Sequence, residues 1–230
     1  YITVTNLFNN QLNTLRQATA VYIGTYVAIL ILEERFRKGL LFILLAVFIH
    51  QSALVLLCLY GLNYIIKRLS YNILLICLFI AIGLSIVLKT DVLEFALSFL
   101  SEEYAWYLKG GMVEETGLLT KVTKYLFIPV YLLAWVNFRK NNYNDEMLLF
   151  KWGWIAFCCR ISVMNLSIIN RLFDYFLILS VFPLLLYLYH LFKTRKNLLF
   201  VSIIFLFSLF YAIKVIIFAR GEYLYNSIYF

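Results

Sequence analysis

The residues best placed for chemistry are charged or polar groups set among apolar neighbours: Arg16, His50, Gln51, Ser52, Arg160, Arg171 and Asp174. A guanidinium within a hydrophobic run is costly unless it faces a partner or a functional cavity. It can also hold phosphate oxygens through several charge-assisted hydrogen bonds at once, so a polyanionic head group such as a lipid pyrophosphate suits it. The run His50-Gln51-Ser52 points to a polar pocket at a break in a helix. Asp174 follows Arg171 by three residues, one helical turn, and this spacing also fits a structural ion pair. Arg16, Lys121, Lys124 and Arg220 have a plainer reading as side chains snorkelling to an interface, and Lys151 as an anchor at a helix end.

These residues sit in a chain of 230 residues that is 64% hydrophobic and 14% charged, which leaves too few polar residues to clothe a soluble core. Leu198–Ile213 carries no charge at all. Apolar stretches at about 15–32, 39–66, 71–88, 118–138, 147–165, 171–192 and 197–219 approach the roughly 20 residues that cross a bilayer. Backbone in lipid must bond to itself within each segment, so the expected fold is all-α: a polytopic transmembrane helix bundle forming one domain. The net charge of +8 lies in short loops between apolar runs, a membrane pattern that requires no nucleic acid. Cys58, Cys77, Cys158 and Cys159 lie inside apolar runs without disulfide or metal-ligand spacing, so they read as packing residues and no metal is expected.

The basic loop residues fall in four groups: Arg35, Arg37 and Lys38; Lys67 and Arg68; Arg139 and Lys140; Lys193, Arg195 and Lys196. If 39–66 crossed the membrane once, the first two groups would face opposite sides, against the positive-inside rule. A broken or re-entrant hairpin with its tip at His50–Ser52 removes the conflict and makes all four groups cytoplasmic. From Gly39 to His50 such a limb rises about 18 Å, past the midplane of a core about 30 Å thick. The segment 89–117, two lysines against six acids, then becomes an external amphipathic loop resting on the membrane. Arg16, Arg160, Arg171, Lys214 and Arg220 gather toward that external face, where the rule does not put them. The acids Glu102, Glu103, Glu114 and Glu115 read as a solvated surface.

Three short motifs occur in order. Asn13-Thr14-Leu15-Arg16-Gln17-Ala18-Thr19-Ala20 fits N-x-x-R-Q-x-x-A. Ala46-Val47-Phe48-Ile49-His50-Gln51-Ser52-Ala53-Leu54 fits A-x-x-x-H-x-S-A-L. Asn170-Arg171-Leu172-Phe173-Asp174-Tyr175-Phe176 fits N-R-x-x-x-Y-F. With these the chain resembles the EpsG-like family, Wzy-type polymerases of bacterial exopolysaccharide and O-antigen, from about residue 11 to its end. The resemblance implies a multi-pass protein of the bacterial inner membrane that joins undecaprenyl-pyrophosphate-linked repeats at the external face, with a chain-length regulator as a further partner. It also implies roles. Arg16, Arg160 and Arg171 would hold pyrophosphate and stabilise charge on the leaving group. Gln17, Ser52, Asn170 and Tyr175 would contact substrate, and His50 or Asp174 would act as base. No metal or other cofactor is called for. Relatives carry further helices before the R-Q motif, so an N-terminal part is expected to precede Tyr1.

Two other classes use similar features. A flippase of lipid-linked oligosaccharide also uses broken helices near the midplane, although only one interrupted segment is evident in the sequence. An O-antigen ligase or another polyprenyl-dependent transferase needs the same external cations.

Overall fold

A computed structural model describes residues 15–88, 118–141, 143–165 and 173–218. Among these residues the chain is all-helical, with eight α-helices: α1 Leu15–Leu32, α2 Phe36–Ile49, α3 Cys58–Arg68, α4 Tyr71–Val87, α5 Leu118–Asn141, α6 Asn144–Ser162, α7 Phe182–Lys193 and α8 Asn197–Phe218. Three 3₁₀ segments interrupt them, at Gln51–Leu57, Asp174–Phe176 and Leu179–Val181. The expected external loop 89–117 and Arg220 lie outside the described residues.

The long apolar run 39–66 is two helices. α2 stops at His50, whose backbone is extended (φ −151°, ψ 113°), and the chain turns back through the 3₁₀ segment into α3. The limbs lie side by side: the Tyr60 hydroxyl donates to the Phe36 carbonyl at 2.7 Å, and their rings sit 5.9 Å apart. At the open end Lys67 closes on Glu34 at 2.9 Å, so α3 ends beside the turn where α2 begins. Glu34 makes that turn with φ 61°, a left-handed conformation rare outside glycine.

The other helices place their ends by the same kind of contact. Trp135 of α5 donates its indole N–H to the Tyr71 carbonyl at the start of α4. Lys151 near the start of α6 is buried and donates to the Lys67 carbonyl at 3.4 Å, so it is not an exposed anchor. His190, near the end of α7, bonds Glu146 at 2.5 Å and stacks on Tyr143. All four basic groups therefore lie at one end of the bundle. There Arg68 sits over Tyr64, Arg139 over Trp135 and Lys193 over Tyr189, each cation covering a ring one turn earlier in its helix.

α6 is the hub. One face gives Trp152 and Ala156 to a core shared with α1, the hairpin and Tyr175–Leu179. Another gives Phe150, Trp154, Phe157 and Ile161 to a core shared with α4, α5, α7 and α8. Gly153 lets the broken segment before α7 approach: a Cβ there would overlap Pro183 and lie 2.7 Å from the Leu179 carbonyl oxygen.

Among the described residues no helix is long and apolar enough to cross a membrane. The expected spans are therefore not shown helix by helix. The hairpin limbs are expected to stop short of a span, and α2 and α3 do, with 14 and 11 residues, or about 21 and 17 Å, against a hydrocarbon core of about 30 Å.

Candidate functional site

The end of the bundle opposite the basic loops holds the site. His50 reaches it because the hairpin turns there: its N–H closes the last turn of α2 on Ala46 and its carbonyl accepts from Ala53. The turn places Ser52 Oγ 2.6 Å from His50 Nδ1. Tyr175, fully buried and 123 residues further along, brings its hydroxyl to 3.0 Å from Ser52 Oγ and 3.2 Å from His50 Nδ1. The three groups form a closed triangle. Both imidazole contacts fall on Nδ1, and among the described residues no hydrogen bond reaches Nε2. If Nδ1 carries the proton it donates to Ser52 or Tyr175, leaving the Nε2 lone pair as the basic position.

Asp174, the residue before Tyr175, pairs with Arg160 in the last turns of α6, with Nη2 to Oδ1 at 3.6 Å. Both side chains are largely buried, 13% and 16% exposed, and Arg160 Nε is buried without a partner. The 3₁₀ turn Asp174–Phe176 thus carries both halves of the site. Successive residues, about 3.8 Å apart along the chain, touch the arginine on one side and the histidine on the other. A guanidinium and an imidazole are thus tied to adjacent residues of one turn.

Sequence expectation paired Asp174 with Arg171, three residues earlier. The described partner is Arg160, and Asn170 and Arg171 lie outside the described residues. Tyr175 and Ser52, expected to contact substrate, both bond the His50 ring nitrogen. Arg16 lies in the first turn of α1 at this same end, exposed and without an ion pair among the described residues, and Gln17 is half-buried beside it. α1 lies against the site further along, with Ala20 and Val21 in the core that contains Tyr175. The second interruption, at residues 174–181, was not read from the sequence. Pro183 in the first turn of α7 was its available signal, since a proline there marks where a helix restarts. No group of three His, Cys, Asp or Glu side chains could hold a metal ion among the described residues.

One family model matches the chain: that of the EpsG family, over residues 1–227. Neither a curated protein nor a solved structure matches.

Proposed function

Because the chain belongs to the EpsG family, we propose that it is a multi-pass glycosyltransferase of the bacterial inner membrane that polymerises polyprenyl-pyrophosphate-linked repeats at the external face. The observation that carries this is the attachment of His50 and Arg160 to adjacent residues of one turn, Tyr175 and Asp174. In the reaction, the acceptor hydroxyl oxygen bonds to the anomeric carbon of the donor glycan. The bond from that carbon to pyrophosphate breaks, and the electron pair leaves with the lipid pyrophosphate. His50 Nε2 receives the acceptor proton, and Arg160 faces the charge that grows on the leaving group, the kind of electrostatic term that usually contributes most. Arg16 and Arg171 belong to the same external set of cations. The membrane reading is supported by large apolar side chains left bare around the helices, such as Phe48, Phe79, Ile86, Leu198 and Phe205. In water such extensive apolar surface would drive association.

A flippase is the second reading. The two interrupted segments at His50 and Asp174 pack on each other, as substrate sites of transporters do. Replacing His50 by Gln in the full-length protein in its host separates the two, with membrane levels matched and surface glycan resolved by size. A ladder reduced to single attached repeats means export and attachment proceed without growth, as the polymerase reading expects. Loss of all surface glycan points to a flippase or ligase. An unchanged ladder removes His50 from the chemistry.

A further inference from the structure

An apolar crevice of about 130 Å³ runs between α3 and α6 directly beside the charged site. Its walls are two regular stripes: Cys58, Leu62 and Ile66 on α3, and Trp152, Ala156 and Cys159 on α6. Each stripe repeats at helical spacing, so each helix turns one continuous face to the crevice. Phe173 and Phe176 close its upper end. Cys159 immediately precedes Arg160, and Phe173 immediately precedes Asp174. The two charged partners and the apolar slot are thus built from the same two stretches of chain, with the shape of a site for an amphiphile.

We infer that this crevice holds the isoprene units nearest the pyrophosphate of the carrier lipid, which extends the polymerase reading and rests on it. From Cys58 to Ile66 the wall is about 12 Å long. The crevice volume of about 130 Å³ is close to the roughly 150 Å³ of an apolar cavity that takes a six-carbon ring. It therefore accepts one five-carbon, methyl-branched unit, while the rest of the tail continues along the open side.

The test uses full-length protein in phosphatidylglycerol nanodiscs and a benzophenone-bearing farnesyl pyrophosphate, with cross-linked peptides mapped by mass spectrometry. Labelling is expected within 58–66 and 152–159. Undecaprenyl pyrophosphate should suppress it, and undecaprenol should compete about tenfold less well for want of the charged head. Labelling that ignores both competitors would mean the crevice holds bulk acyl chain, and labelling confined to other peptides would place the tail elsewhere; either overturns the inference. Ala156→Phe fills the slot and should abolish the signal, and the wild-type map decides the matter alone if that variant does not fold. The readout needs no catalysis. A correct map with loss of all surface glycan in His50→Gln leaves the lipid site standing and removes the polymerase reading. A collapsed ladder with labels elsewhere does the reverse.

Discussion

Arg160 Nη2 stands 3.6 Å from Asp174 Oδ1, close enough for attraction and too long for a good hydrogen bond, while its Nε is buried and unpartnered. A guanidinium held this loosely keeps donors available for a second anion. Arg160→Ala should therefore lower polymerising turnover by roughly 10²–10³-fold, the usual loss for a transition-state donor. It should also lower stability, because it removes one cationic partner of a largely buried carboxylate. Asp174→Asn separates the two effects. It should keep most of the stability and retain turnover if Asp174 only positions Arg160, whereas a collapse of turnover with the fold intact would make Asp174 the base. In vitro polymerisation and detergent melting curves supply the measurements.

His50 and Tyr175 make a different prediction, about which kinetic constant falls. If Nε2 takes the proton, Ser52 and Tyr175 act as positioning residues that fix the ring through Nδ1. His50→Gln should cost about 10²–10⁴-fold in turnover. Tyr175→Phe should lower kcat and leave KM nearly unchanged, because the ring loses a group that holds it. A raised KM at unchanged kcat would mean the hydroxyl contacts substrate.

Much of this arrangement was legible along the chain because it is written in local contrasts. His-Gln-Ser interrupts an apolar run, and the helix breaks at that histidine. The three motifs marked the family to which the chain belongs. What sequence could not supply is contact across long separations. Arg160 reaches Asp174 from α6, and no local spacing rule links the two. The burial of Lys151 was missed for the same reason: its acceptor is the Lys67 carbonyl, on a helix 84 residues earlier.

Gly153 tests whether the second break must lie where it does. A methyl there meets the Leu179 carbonyl oxygen and Pro183. Overpacking of about 1–3 kcal/mol should outweigh the roughly 1 kcal/mol that alanine gains over glycine within a helix. Gly153→Ala should therefore lower the melting temperature and impair turnover although it touches no reacting group. Gly83→Ala is the control, since a Cβ there meets nothing within 4 Å, and it should be neutral or stabilising.

At the basic end, Lys67 holds the Glu34 carboxyl below its usual range, mainly by its hydrogen bond and also by its charge. A carboxylate with a depressed folded value contributes stability that is fully present above the unfolded value. That contribution fades as pH falls through the lower folded one. Acid melting curves of the purified protein should therefore lose this part only in the acidic range, and Glu34→Gln should remove the difference. A neutral-pH dependence of the same contact would contradict the assignment.

The closed hairpin has an arithmetic consequence. Because α2 enters and α3 leaves at the same end, the pair adds two helices and no change of side. Parity is conserved: excising residues 36–68 as a unit would leave α4 and everything after it facing as before. Losing any one later helix would invert all that follows. The segment bearing the histidine can thus be gained, exchanged or redesigned as one unit without rerouting the rest of the chain.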